Sequence, residues 1–110
     1  ENDTLYASGS LNLELKLGHI LYHLEDNKSN LKGILGGESG ELFMRYLKKY
    51  LNDLFLLYKD DFHLNVPQNF LLHHLVGSFC EAIKWWMNED CKYAPEEVAS
   101  YYMKMIRMKA

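Results

Sequence analysis

Residues 70–98 read FLLHHLVGSFCEAIKWWMNEDCKYAPEEV and predict two helices with wide apolar faces. Apolar side chains recur at helical spacing as far as the paired Trp85 and Trp86. A polar break follows, and a second helix is expected to begin near Pro95. Both helices have apolar faces that cover about half of their circumference at 100° per residue. Faces of that width need a large surface to pack on, and we predict that a second copy of the chain supplies it; the alternative is that the chain's own other helices cover both faces.

Length and composition indicate one folded domain that spans residues 1–110. The chain has 110 residues, of which 48% are hydrophobic and 25% charged, with a net charge of −3. This acidic balance disfavours direct binding to nucleic-acid phosphates, and Arg45, Lys48 and Lys49 read as an ordinary solvated helix face. No apolar run approaches the roughly 20 residues that span a bilayer, and the N-terminus does not resemble a signal peptide. We therefore expect a cytoplasmic protein without membrane contact.

Catalytic and metal-binding patterns are missing from the sequence. There is no glycine-rich phosphate loop, no nucleophile elbow and no pair of carboxylates in apolar surroundings, so we predict no enzyme activity and no cofactor. His19 and His23 stand four residues apart and could share a metal ion, but no third ligand follows at suitable spacing. Cys80 and Cys91 would lie about 16 Å apart along a continuous helix, which is beyond disulfide reach.

The rest of the chain also favours helices, giving an all-α antiparallel bundle of about five helices. Residues 11–26 begin with alternating leucines, a strand signature, but continue at helical spacing from Leu17 onwards. Helix is preferred because a lone strand would have no partner. This helix is apolar on two sides, with Leu11, Leu15 and Tyr22 on the second. Such a helix is usually enclosed within a core or lines a cavity.

Further helices are predicted over residues 30–35, 41–58, 67–89 and 95–109. Gly36-Gly37 separates the first two, and Pro67 suits the first turn of the third. The last two helices are expected to form a four-helix bundle with those of a second copy. The side chains predicted at this two-fold interface are Leu72, Val76, Phe79, Ile83, Trp86, Met87, Val98, Tyr101, Tyr102 and Met105. Trp85 points away from them, and the pattern gives it no role.

The ending of the chain resembles a known family. Residues 83–105, IKWWMNEDCKYAPEEVASYYMKM, resemble the C-terminal regulatory domain of TetR-type transcriptional repressors. That family commonly closes a helix with Trp, a leucine-like residue and a polar turn, then restarts with a small residue, Pro, Glu, Glu and an apolar residue. Upstream, residues 19–37 and 70–83 are similar to its opening helices and its long dimer helix. Asp90 departs from the pattern, because relatives often place Gly there.

The resemblance implies a homodimer that senses an unknown small-molecule effector. It also implies that DNA is bound only through an N-terminal helix-turn-helix domain, which this sequence does not contain. The candidate function is therefore the effector-sensing and dimerisation domain of a bacterial transcriptional regulator. The alternative is a stand-alone helical module that binds a partner protein. The sequence identifies neither the effector nor the regulated genes.

Candidate effector contacts are polar or aromatic side chains expected to face the interior. A ligand pocket usually combines apolar walls with a few placed polar groups. Tyrosines at helical spacing are nonetheless more often core residues than ligand contacts. With that alternative open, the predicted contacts are Tyr22, His23, Tyr46, Tyr50, Phe70 and His74.

Overall fold

A computed structural model describes residues 2–35, 39–62 and 64–106, but not the side chains of residues 2–10, 32, 34 and 35. A short 3-10 turn at Lys59–Asp61 follows the third helix, and no strand occurs in the described ranges. The all-α prediction is thereby confirmed. The five helices are α1 (Asn2–Asp26), α2 (Lys28–Leu35), α3 (Ser39–Leu57), α4 (Gln68–Asn88) and α5 (Pro95–Ile106).

Helix α1 settles the strand-or-helix alternative in favour of helix. Leu13, Leu17 and Leu21, at helical spacing, are fully buried. The second apolar side is different, because Leu11, Leu15 and Tyr22 are exposed. Of the two expected arrangements, enclosure of both sides in a core does not occur, and Leu15 and Tyr22 on the second side line clefts at the surface.

Helix α1 begins at Asn2, nine residues before the predicted start at residue 11, and the other described helix ends differ from the predicted ones by two residues at most. Helix α2 begins two residues early, at Lys28, and α4 begins at Gln68. Pro67 has φ −59° and ψ 143°, so it is the residue before the first helical turn, and its carbonyl accepts the Leu71 N–H at 3.1 Å. The predicted end of the last helix at residue 109, and the Gly36-Gly37 break, lie outside the described residues.

All five helices contribute to one hydrophobic core. The start of α3 lies beside the end of α4, and Tyr102 of α5 reaches back to Leu75 of α4, so α3 and α5 each run antiparallel to α4. The most extensive contact between helices joins α1 to α5. Gly18 lies at that last crossing, where an added Cβ would be 3.8 Å from the Cβ of Ala99. Helix α5 is thus packed between α1 and α4. The inner face of α4, which faces this core, consists of Leu71, Leu72, Leu75, Val76, Phe79, Cys80, Ile83, Trp86 and Met87.

Most of the predicted dimer contacts belong to this core within the single chain. Side chains already covered within one chain have little surface left for contact with a second copy, and their part in a dimer remains a prediction. Helix α3 packs against the wide apolar face of α4, and α1 packs against that of α5. The sequence pattern predicts instead that a second copy of the chain covers these faces. Tyr101 and Met105 alone among the ten are exposed. The buried eight are Leu72, Val76, Phe79, Ile83, Trp86, Met87, Val98 and Tyr102.

The turn between α4 and α5 is built from left-handed residues that are not glycine. Asp90 has φ 57° and Cys91 has φ 54°. The Cys91 N–H donates to the carbonyl of Trp86 at 2.9 Å, and the indole Nε1 of Trp86 donates to the carbonyl of Tyr93 at 2.8 Å. Asp at position 90 therefore does not prevent the left-handed helix end for which relatives often use Gly.

Both cysteines are buried. Cys91 lies in the turn, and its Sγ donates to the Sδ of Met87 at 3.7 Å. Neither thiol takes part in a disulfide.

Candidate functional site

Helices α4 and α5 present a continuous surface away from the core, which we call the outer face. A cleft of about 550 Å³ runs between the two helices, with the buried Val98 and Tyr102 at its floor. The outer face consists of His74, Ser78, Glu81, Ala82 and Trp85 on α4 and Tyr101, Met105 and Ile106 on α5.

Aromatic rings dominate the part of the outer face next to the turn between α4 and α5. Trp85 stacks on Tyr93 with ring centroids 5.2 Å apart and planes at 22°. Tyr93 in turn meets Tyr101 edge-on at 5.9 Å. The exposed fraction is 43% for Trp85, 40% for Tyr101 and 80% for Met105. Trp85, which the sequence pattern left without a role, therefore belongs to an exposed aromatic cluster.

Small side chains form the part of the outer face around Ser78 and Ala82. Ser78 and Ala82 carry short side chains, and the half-buried Gly77 precedes Ser78 on α4. A Cβ added at Gly77 would meet no heavy atom within 4 Å, apart from the local helix backbone. Another helix can therefore approach α4 closely along this line.

Tyr102 fastens α5 to α4 beneath the outer face. Its hydroxyl donates to the carbonyl of Leu75 at 2.6 Å and lies 3.1 Å from Oγ of Ser78. Its ring meets Phe79 edge-on at 5.0 Å. Burial raises the pKa of Tyr102 well above its ordinary value of 10, so the hydroxyl stays protonated and remains a donor. The spacing of α4 and α5 is fixed by this contact.

The predicted effector contacts do not converge on one interior pocket. All six side chains (Tyr22, His23, Tyr46, Tyr50, Phe70 and His74) are exposed in the single chain, so the expectation that they face the interior is wrong. Helical spacing gave their angle around each helix, but not which side the neighbouring helices would cover. Their binding of a ligand remains a prediction.

Four of the six line surface clefts. Tyr22 and His23 border a cleft of about 360 Å³ between α1 and α5. His23 and Tyr50 border another, of about 700 Å³, between α1 and α3. His74 lies on the outer face. Tyr46 and Phe70 line none of these clefts.

A further cleft, which we call the cationic cleft, lies between the first half of α3 and the end of α4. Its volume is about 730 Å³. The sequence placed Arg45 and Lys48 on a solvated face and did not associate them with Lys84, which comes from another helix. The spacing of residues along one helix does not reveal that side chains from two different helices line the same cleft. The lining residues are Gly40, Glu41, Met44, Arg45, Lys48, Lys84, Met87 and Asn88.

The described ranges contain neither a metal-binding cluster nor a membrane-spanning helix. No group of three or more His, Cys, Asp or Glu side chains there could hold a metal ion, and the His19 and His23 rings stand 5.6 Å apart without a third ligand. No helix in the same ranges is both long and apolar enough to cross a membrane.

Comparison with protein families adds the identity of the domain. Residues 12–108 match the family described as the transcriptional regulator C-terminal region, of the TetR type. Comparisons with curated proteins and with solved structures gave no match. The matched segment contains all of α2 to α5 and most of α1. The resemblance visible in the sequence is thus confirmed, and the chain belongs to the family of C-terminal regions of TetR-type transcriptional regulators.

Proposed function

We propose that this chain is the effector-sensing and homodimerisation domain of a TetR-type regulator, and that it pairs through its outer face. One observation carries the proposal. Trp85, Tyr101 and Met105 are exposed together on α4 and α5, although the inner faces of both helices are already filled by the chain's own core. Two such faces packed together make the four-helix bundle expected from the sequence, but with different residues in contact.

The composition of the outer face suits a second copy of itself. In a two-fold dimer the same patch of both chains forms the interface. A face with small side chains in one part and protruding aromatic side chains in another can therefore be complementary to itself. Tyrosine, tryptophan and methionine are enriched in interfaces, and buried aromatic anchors commonly carry most of the binding free energy. Trp85, Tyr101 and Met105 supply these anchors, while Gly77 and Ser78 permit close approach.

We propose that the effector binds in the clefts on the other sides of α4 and α5. Helix α4 carries the outer face on one side and borders the cationic cleft with Lys84 and Met87 on another. An effector bound there could change the angle of α4, provided that it binds one dimer geometry more tightly than the other. DNA contact would belong to a separate domain of the regulator.

The substitution Met105→Glu tests the dimer. Met105 is 80% exposed, so the change removes no core contact in the single chain, whereas it would place a charge in the proposed interface. Sedimentation velocity at micromolar concentration should give a dimer, twice the chain mass of 12.9 kDa, for the unmodified chain and a monomer for Met105→Glu.

Leu57→Glu is the matched control. Leu57 is 74% exposed but lies on α3, away from the outer face, so this variant should remain a dimer. A monomeric unmodified chain would overturn the dimer proposal and favour the alternative, a helical module that binds a different protein. A Met105→Glu dimer would overturn the outer face as its interface.

A further inference from the structure

The cationic cleft combines an apolar floor with a positively charged rim. Met87 is buried and Met44 half-buried, and together they give the cleft two flexible, polarizable thioether side chains. Arg45, Lys48 and Lys84 stand around them, opposed by the single carboxylate of Glu41. A cleft of about 730 Å³ is within the range of sites that hold small organic molecules.

The rim cations are not neutralised by the protein. Within the described ranges Arg45 and Lys48 make no ion pair, although Lys49 beside them pairs with Asp53 at 3.5 Å. Lys84 contacts Glu81 at 3.4 Å, but both side chains are largely exposed, so water screens that pair. The rim therefore keeps an excess of positive charge.

Two of these cations approach the cleft wall from opposite helices. Lys48 on α3 and Lys84 on α4 both line the cleft, and the positive charges of both lower the pKa of the buried Cys80 thiol against the larger, opposite effect of burial. An anionic group held there would interact with both at once.

From this geometry we infer that the cationic cleft binds an amphipathic organic anion. The anionic head, such as a carboxylate, lies among Arg45, Lys48 and Lys84, and the apolar body lies on Met44 and Met87. A small inorganic anion would leave the methionine floor uncovered, and an uncharged apolar molecule would leave the cations unpaired. The inference names the effector class and so rests on the proposed sensing function.

Calorimetric titration with three probes tests this inference on the 110-residue chain. Decanoate has both the head and the body, acetate has only the head, and decyltrimethylammonium has a similar body with the opposite charge. Decanoate should bind, and the other two should give no measurable binding. Raising the salt concentration to about 1 M shortens the screening length to about 3 Å and should weaken decanoate binding.

Variants locate the site. Arg45→Gln combined with Lys48→Gln should weaken decanoate binding by about tenfold or more, because two charge-assisted contacts are lost. Both side chains are exposed, so an unchanged melting temperature without decanoate verifies the fold. Lys49→Gln, one residue further along α3 and outside the cleft, should leave the affinity unchanged within about twofold.

Three results would overturn the inference: no decanoate binding, equal binding by the double variant, or equal binding of decyltrimethylammonium. Sedimentation of the same samples separates this failure from failure of the dimer proposal. A dimer without decanoate binding refutes only the ligand class, and a monomer that binds decanoate through Arg45 and Lys48 refutes only the dimer.

Discussion

The inner and outer faces of α4 differ in a way that apolar character alone does not reveal. The inner face carries large apolar side chains such as Phe79 and Trp86, and the chain's own helices cover them completely. The outer face mixes small residues with polar groups and the half-exposed Trp85. The two tryptophans are adjacent in sequence, yet one is a core residue and the other a surface residue.

The width of an apolar stripe alone therefore does not separate a core face from an interface. A core needs volume and contact on every side, so the most apolar positions are buried in it. An interface that forms after folding uses the remaining surface, which in the proposed dimer is an aromatic cluster beside the small residues Ser78 and Ala82. Non-obligate interfaces as a whole are about as apolar as the rest of a protein surface.

The largest expected effect separates the two tryptophans. Trp86→Ala should lower the free energy of unfolding by about 3–5 kcal/mol, because a fully buried indole leaves a cavity and its hydrogen bond to the Tyr93 carbonyl is lost. Trp85→Ala should cost only about 1 kcal/mol, from the lost stack on Tyr93. Urea denaturation at one protein concentration measures both, and equal losses would abolish the distinction between the faces.

A smaller effect is expected at Tyr102, whose ring lies inside the core while its hydroxyl reaches under the outer face. Tyr102→Phe should cost about 1 kcal/mol at neutral pH, because the hydrogen bond to the Leu75 carbonyl is lost. Its exposed neighbour supplies the control, since Tyr101→Phe should change stability little.

The same residue predicts a pH dependence. The pKa of Tyr102 is raised in the folded chain, so above its ordinary value of 10 the unfolded chain releases this proton and the folded chain does not. The contribution of Tyr102 to stability is complete below pH 10 and falls above it by up to about 1.4 kcal/mol per pH unit. Denaturation curves of Tyr102→Phe should lack this part of the fall. An identical slope in both chains would contradict the buried hydroxyl.

The smallest effect on stability is expected for substitutions in the first turn of α5, which orients both faces of that helix. Oε1 of Glu97 accepts the N–H of Ala94 at 2.8 Å. Glu96 lies in the same first turn and shares the favourable position at the helix N-terminus. Glu97→Ala should therefore destabilise the chain by about 0.5–1 kcal/mol more than Glu96→Ala in thermal melts.

Helical periodicity was sufficient to predict the five helices and to reject a strand at residues 11–17. It also placed most buried positions of α4 and α5 on one side of each helix. Periodicity gives the angle of a side chain around its axis but not the element that covers it. For that reason periodicity does not distinguish contact of Ile83 and Val98 with a second copy from contact with the chain's own core, which buries both residues in the structure.

The clefts could not be predicted from local spacing for the same reason. Lys48 and Lys84 lie on different helices, and only the antiparallel packing of α3 against α4 brings them to one cleft. Tyr46 and Phe70 were proposed as ligand contacts from residue type, but they lie on sides that no neighbouring helix covers. The family, by contrast, could be identified from the sequence, because its characteristic residues are contiguous, in the segment from Trp86 to Glu97.

The different surroundings of Trp85 and Trp86 give the chain two optical probes, and these are its only tryptophans. The indole of Trp86 is shielded from solvent and should emit at shorter wavelength, whereas that of Trp85 meets water and should emit at longer wavelength. Iodide should quench the longer-wavelength emission first. Any event that covers the outer face would shift and protect the emission of Trp85 while leaving that of Trp86 unchanged, so the unlabelled chain can report its own assembly.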